Sequence, residues 1–138
     1  MKVYIGNKKI ETDAYKIITE YKILEYLADD SECTEIIIDG VLRQLSIEEV
    51  EQCIALSVKK LRSSGSIKIV DIDFDLMAYA YKKLGNINNL NSSIFRNSSI
   101  KSFLTNDLVI DMFRNYPNIF PFRVEVQNIE FIMEFKKK

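Results

Sequence analysis

The sequence contains no histidine and no tryptophan among its 138 residues. Histidine is the side chain most often used for acid–base chemistry near neutral pH, and it is the commonest metal ligand. Its absence excludes serine–histidine triads, cysteine–histidine pairs and histidine-based zinc sites. Carboxylates, tyrosines and lysines remain as candidate catalytic groups, and an enzyme that mainly positions two substrates does not need a histidine.

Cysteine is nearly absent too, since the chain has only Cys33 and Cys53 and no pair in a CxxC spacing. Two cysteines are too few for a disulfide framework. No run reaches the ~18 consecutive apolar residues of a membrane span. The start, Met1–Ile5, leads into strand-like sequence rather than a signal peptide. These absences predict a soluble, cytoplasmic chain with no membrane partner.

The chain also lacks an excess of either charge, because 19 basic residues nearly balance 20 acidic ones and leave a net charge of -1. Without a positive field, we expect no nucleic-acid partner. The terminal cluster Lys136–Lys138 is expected to be a solvated tail. A chain of this length with 47% hydrophobic residues predicts one domain, residues 1–138.

Short apolar runs predict a sheet that is mostly parallel. Three consecutive isoleucines, Ile36–Ile38, lack polar alternation and so favour a strand covered by helices on both faces. Near the end, Phe122–Gln127 and Phe131–Phe135 alternate, which predicts an antiparallel hairpin. The predicted fold class is therefore α/β. Its predicted parallel strands are Val3–Ile5, Tyr15–Ile18, Glu35–Ile38 and Ile67–Ile72.

The clearest helix signal is the capping box Ser46–Glu49, followed by a stripe of apolar residues at spacings of three and four. Gly65 is predicted to end this helix as a left-handed residue. A long loop is predicted from Asn86 to Ser99, which is rich in asparagine and serine. The other predicted helices are Ile23–Leu27, Leu76–Leu84 capped by Asp73 or Asp75 and stopped by Gly85, and a third capped by Thr105 or Asn106 that runs through Phe113.

Several segments occur in the order found in class I S-adenosylmethionine-dependent methyltransferases. Lys2–Asn7 with Asp13–Ile18 resembles the opening strand, glycine loop and path to strand two of a compact bacterial and phage branch. Glu35–Leu42 resembles the segment that carries strand four into a Leu-Glu-His motif, and Leu61–Ile69 resembles the Leu-Lys-Pro-Gly-Gly turn into strand five. The resemblance implies a Rossmann-like methyltransferase fold.

The resemblance also implies a cleft for S-adenosylmethionine at the carboxyl ends of the strands. Gly6 and Asn7 match its glycine loop, and Glu20 falls where an acidic residue binds the cofactor ribose. Asp39 and Gly40 follow strand four, where open α/β sheets place ligands. Plainer interpretations stay open: Gly6 as a turn residue, Glu20 as a solvated carboxylate, and Asp39 as part of an Asp-Gly turn.

The departures from the family pattern fall where chemistry would occur. Only Gly6 remains of a Gly-x-Gly loop, and Leu42-Arg43-Gln44 stands in place of Leu-Glu-His. Residues 19–35 are too few for the family's third strand together with a helix. Two functions follow as hypotheses: a methyltransferase, or cofactor-binding remnant of one, acting on a small molecule or saccharide, and a non-catalytic interaction scaffold. Either could be a homo-oligomer.

Overall fold

The computed structural model describes residues 1–83 and 100–138, so the predicted loop Asn86–Ser99 and the stop at Gly85 lie outside the described residues. Within them, six strands form one sheet in the order β2-β1-β3-β4-β6-β5. The strands are β1 (Lys2–Gly6), β2 (Lys16–Ile18), β3 (Cys33–Asp39), β4 (Leu61–Ile72), β5 (Ile119–Gln127) and β6 (Glu130–Lys137).

Strand directions follow the sequence prediction. β1 pairs in parallel with β2 and β3, and β3 pairs in parallel with β4. β6 is antiparallel to both β4 and β5, and Asn128 takes a φ of 58° in the turn that joins the last two strands. The mostly parallel sheet with an antiparallel C-terminal hairpin is therefore confirmed.

The connection from β2 to β3 is short. It contains a single turn of 3₁₀ helix, Tyr21–Ile23, which continues into α1 (Leu24–Leu27). No strand forms in this segment, and β2 is an edge strand of the described sheet. This confirms that the segment is too short to hold the third strand of the family pattern together with a helix.

The capping box begins α2 (Ile47–Lys60) as predicted, with the Ser46 hydroxyl accepting a hydrogen bond from the Glu49 amide at 3.2 Å. The prediction that Gly65 ends this helix is wrong. β4 starts at Leu61 with no intervening loop, and the residue with positive φ is Ser64, at 67°. Gly65 lies inside β4, where a Cβ atom would come within 2.8 Å of the Leu61 side chain.

Two lysines make buried or partly buried polar contacts near the junction of α2 and β4. The Lys137 ammonium donates to the carbonyl oxygens of Val58 at 3.0 Å and Leu61 at 2.8 Å, so it satisfies acceptors that the helix end leaves open. Lys60 is 3% exposed, and its ammonium lies 3.1 Å from a carboxylate oxygen of Asp30. The expectation of a solvated lysine tail is therefore wrong for Lys137.

Asp73 anchors both remaining helices, α3 (Phe74–Lys83) and α4 (Asn106–Phe113). One carboxylate oxygen accepts from the Leu76 amide and the other from the Asn106 amide, each at 3.0 Å. Thr105 caps α4 by accepting from the Leu108 amide at 3.2 Å. Of the alternatives predicted, Asp73 and Thr105 are thus the capping residues.

The apolar core lies on one face of the sheet, which we call the core face. Ile36 and Ile38 are fully buried there, together with residues of α1, α2 and α4. The opposite face, which we call the charged face, carries the residues that alternate with these. One row runs straight across five strands and consists of Tyr4, Ile37, Lys68, Glu134 and Arg123.

The prediction of helices on both faces of β3 is wrong for the described residues. Ile37 is only half-buried and does not belong to the core, whose helical residues come from α1, α2, α4 and two short 3₁₀ helices, Tyr21–Ile23 and Leu42–Gln44. The cause lies in the connection from β1 to β2, because residues 7–15 form a polar loop where a crossover helix would otherwise pack.

Among the helices that the structure describes, none has the length and apolar character of a membrane-spanning segment.

Candidate functional site

Parallel strands bring the predicted site residues to one edge of the sheet. β1 ends at Gly6 and β3 at Asp39, and these two residues are paired. Ligands of open α/β sheets bind at this carboxyl edge. A cavity of about 120 Å³ lies there and brings together Asn7, Asp39 and Gly40 of the predicted set. Its other lining residues are Lys8, Arg43, Gln44, Val70, Asp71 and Glu130.

The Asp39 carboxylate has two partners at this cavity. It accepts a hydrogen bond from the Tyr4 hydroxyl at 2.8 Å and lies 3.4 Å from the Lys8 ammonium. Burial and the hydrogen bond to Asp39 raise the pKa of Tyr4 to about 12. Tyr4 therefore stays a neutral donor over the physiological range, and Lys8 balances the charge of Asp39.

Gly40 supplies a backbone conformation that other residues rarely adopt. Its φ is 71°, and its amide donates to the Val70 carbonyl at 2.8 Å. A Cβ atom here would come within 3.1 Å of the Arg43 guanidinium. The backbone thus bends at Gly40, directly after the last residue of β3, and both Asp39 and Gly40 line the cavity. The missing side chain lets Arg43 approach closely.

Arg43 pairs with a buried carboxylate. The Asp71 side chain has no exposed surface, and it receives the Arg43 guanidinium at 3.5 Å and the Arg43 amide at 3.4 Å. The Ile72 amide donates to the same carboxylate at 2.8 Å. Burial raises the pKa of Asp71, while these donors and the guanidinium oppose that rise. Arg43 therefore offsets a buried negative charge in the segment that replaces Leu-Glu-His.

Gly6 contributes by close packing rather than by lining the cavity. A Cβ atom at this position would lie 2.9 Å from both the Asp39 carbonyl oxygen and the Tyr4 hydroxyl oxygen. Real Cβ atoms essentially never come that close to another heavy atom. The space that glycine frees at position 6 is therefore used by atoms of this chain.

Glu20 belongs to a second cavity, of about 230 Å³, at the neighbouring part of the same edge. It lies two residues after the end of β2 and is exposed. Gln44 lines both cavities, so the two share one lining residue. The predicted residues are thus distributed along one edge rather than gathered at one point. The other residues lining this second cavity are Thr19, Tyr21, Lys22, Val41, Leu45 and Glu49.

Sequence reasoning did not assign Tyr4, Lys8, Asp71 or Glu130 to the site. The position of Tyr4 could have been inferred from strand alternation, because its side chain points to the opposite face from its neighbours Val3 and Ile5. Glu130 reaches the edge only through the pairing of β6 with β4, which no local pattern reveals. Among the described residues, no group of three or more histidine, cysteine or carboxylate side chains could hold a metal ion.

Comparisons with known proteins bear on the fold alone. No protein-family model matches the sequence, and no curated protein matches it. Among solved structures, 127 chains match. They include a SAM-dependent methyltransferase from Thermotoga maritima, with 11% identity and a TM-score of 0.60, and one from Archaeoglobus fulgidus, with 10% identity and a TM-score of 0.63. The Rossmann-like methyltransferase fold predicted from the sequence is confirmed.

A third similar structure is the 1,6-didemethyltoxoflavin-N1-methyltransferase of Burkholderia thailandensis, crystallised with bound 1,6-didemethyltoxoflavin and S-adenosylhomocysteine. It is 11% identical over 89% of this chain, with a TM-score of 0.59. The alignments with the Thermotoga and Archaeoglobus proteins each cover 90% of this chain. The chain spans 64%, 68% and 51% of the Thermotoga, Archaeoglobus and Burkholderia chains.

Proposed function

We propose that this chain binds S-adenosylmethionine at the carboxyl edge of its sheet and acts as a small methyltransferase, or as a cofactor-binding remnant of one. The observation that carries the proposal is the pair of cavities that share Gln44 in their linings. They occupy the edge where open α/β sheets take ligands, in a chain with the methyltransferase fold.

The size of the two cavities supports a ligand that spans both. Small-molecule sites usually enclose about 300–1,000 Å³. Neither the cavity beside Asp39, about 120 Å³, nor the one beside Glu20, about 230 Å³, reaches that range alone. An extended ligand such as S-adenosylmethionine would pass Gln44. Glu20 would then accept the ribose hydroxyls, while Asn7, Asp39 and Gly40 would hold the amino-acid portion.

The charges around Asp39 set a condition for binding. The cofactor supplies a methyl group on a positively charged sulfonium, which a carboxylate attracts. Because Lys8 already lies 3.4 Å from that carboxylate, a bound cation would have to displace the lysine. The Lys8 side chain is 67% exposed, so it has room to move. The chain would contribute mainly by orienting the acceptor, which can supply much of a rate enhancement.

Calorimetric titration with S-adenosylmethionine and S-adenosylhomocysteine tests this proposal directly. Saturable binding in the micromolar range is expected. Glu20→Gln should weaken it about tenfold or more by removing a charge-assisted hydrogen bond. Glu11→Gln is the matched control, because it removes the same charge from an exposed loop position. Equal binding by the two variants would remove Glu20 from the site.

The acceptor is proposed to be a small molecule or a saccharide, and the compartment the cytoplasm. The Burkholderia protein of the same fold is named for a small-molecule substrate. Cys33 and Cys53 are both free and buried, which fits a reducing compartment. Incubating the protein with S-adenosylmethionine and a panel of both substrate classes tests the assignment. Accumulation of S-adenosylhomocysteine with one class is the expected result.

A non-catalytic scaffold is the second candidate, and a specific observation favours it. The space above Gly6 is filled by Tyr4 and by the backbone of Asp39, and the Asp39 carboxylate already has two partners. These contacts stabilise the edge without any ligand. The absence of binding heat and of any thermal shift at millimolar cofactor would make the scaffold the better description.

A further inference from the structure

β5 is the last strand of the described sheet, so its outer edge has no neighbour among the described strands. Its start is irregular, with Pro121 and a register shift between Pro121 and Arg123. From Arg123 to Gln127 the strand pairs regularly with β6. Proline and bulges discourage pairing at an edge, whereas a regular stretch offers its outward backbone groups to another strand. The available part of the edge is thus Arg123–Gln127.

Two valines of this stretch lie on the core face but are not covered. Val124 is opposite Met133 and Val126 is opposite Phe131, and both of those β6 residues are fully buried. Nevertheless, Val124 is 45% exposed and Val126 is 51% exposed. The apolar surface of the sheet therefore continues beyond the helices that cover it, and it ends in side chains that an added strand would bury.

The sequence of this edge is self-complementary in one antiparallel register. When Val124 faces Val124 of a second copy, Arg123 of each copy faces Glu125 of the other. Registers centred on Arg123 or on Glu125 would instead place like charges opposite each other, which destabilises a strand pair. Arg123 already contacts Glu125 of its own chain at 2.8 Å. The favoured register would join these two ion pairs into one alternating cluster on the charged face.

We propose that two copies of this chain associate through β5, antiparallel and about a two-fold axis at Val124. Two six-stranded sheets would then form one continuous sheet of twelve strands. Such an isologous contact is the commonest form of homodimer. Strand addition supplies backbone hydrogen bonds, and the valines and the Arg123–Glu125 pairs set the register. A net charge of only -1 gives little repulsion between copies.

Sedimentation equilibrium of the wild-type chain at micromolar concentrations should show a reversible dimer. Val124→Lys places two lysines opposite each other on the axis and should shift the protein to monomer. Ile17→Lys makes the same kind of change on β2, at the other end of the sheet, where the side chain is 48% exposed. That control should keep the dimer. A monomeric wild type, or a dimer lost only in Ile17→Lys, would overturn the proposal.

Charge exchange tests the register itself and does not depend on the valine. Arg123→Glu and Glu125→Arg should each raise the dimer dissociation constant by about tenfold or more, because every cross pair becomes a like-charge pair. An equimolar mixture of these two variants should form a heterodimer, since each strand then faces its complement. The double variant with both changes should dimerise like the wild type. If neither the mixture nor the double variant dimerised, the Val124-centred register would be disproved.

Discussion

The two faces of this sheet are built from the same strands but have different energetics. On the core face, Ile36 and Ile38 are sealed under α1, α2 and α4. On the charged face, Ile37 has Lys68 as its neighbour in β4 and is only half-buried. An apolar residue in the middle of a strand therefore does not establish that a second layer covers it. Polar neighbours in adjacent strands carry that information.

The largest difference between the faces should appear when one isoleucine on each is shortened. Ile38→Ala leaves a cavity in a sealed core and should lower the free energy of unfolding by about 2–5 kcal/mol. Ile37→Ala, the adjacent residue of β3, should cost clearly less, because its side chain is already partly in contact with solvent. Urea denaturation of both variants measures this. Equal losses would mean that the charged face is covered.

Gly6→Val should produce the next largest effect. The new side chain would press on the Asp39 carbonyl oxygen and the Tyr4 hydroxyl, each 2.9 Å from a Cβ atom. Overpacking of this kind costs about 1–3 kcal/mol. Thermal unfolding with and without a Tyr4→Phe background resolves the two contacts. The background should recover only part of the loss, because the backbone oxygen of β3 remains, and full recovery would assign the whole strain to Tyr4.

Tyr4→Phe should have a smaller effect that depends on pH. Loss of the 2.8 Å hydrogen bond to Asp39 should cost about 0.5–1.5 kcal/mol near neutral pH. The pKa of Tyr4 is raised from 10.0 to about 12 in the folded protein, so its stabilisation is complete below pH 10 and disappears as the pH rises through 12. The stability advantage of the wild type over the variant should therefore shrink as the pH rises above 10. A gap that stays constant from pH 7 to 12 would contradict this.

The smallest effect is expected from the exposed ion pairs of the charged face. The Lys2 ammonium lies 3.4 Å from Glu35, with the lysine side chain 48% exposed. Lys2→Ala should change the free energy of unfolding by about 1 kcal/mol or less, and added salt should remove the difference. Chemical denaturation at low and high ionic strength tests this, and a large effect that is insensitive to salt would point to buried rather than solvated charge.

Local signals in the sequence predicted local structure well. The capping box at Ser46, the caps at Asp73 and Thr105 and the alternation of the terminal hairpin each depend on residues close in the chain. The prediction that Gly65 ends α2 was wrong because a glycine that terminates a helix and a glycine in a crowded strand look alike in sequence. The distinction depends on Leu61, whose side chain comes within 2.8 Å of a Cβ atom at position 65 only once β4 has formed.

The candidate site was predictable only in part. Asp39 and Gly40 could be placed because carboxyl ends of parallel strands share an edge, and the structure puts both at the cavity. The partners of Asp39 could not be predicted in this way. Tyr4 is 35 residues away in the chain and reaches Asp39 only through the pairing of β1 with β3. The assignment of these residues to a cofactor stays a prediction.

The direct passage from α2 into β4 decides where this chain could accept foreign sequence. The Lys137 ammonium binds backbone carbonyl oxygens on both sides of this junction. A peptide tag inserted between Lys60 and Leu61 would therefore separate the two acceptors and break the contact with β6. The loop around Glu11 and Thr12 is exposed, and an inserted tag or fluorophore there would leave the sheet intact. For labelling or fusion, the chain therefore has one position that should not tolerate an insertion and one that should, about fifty residues apart.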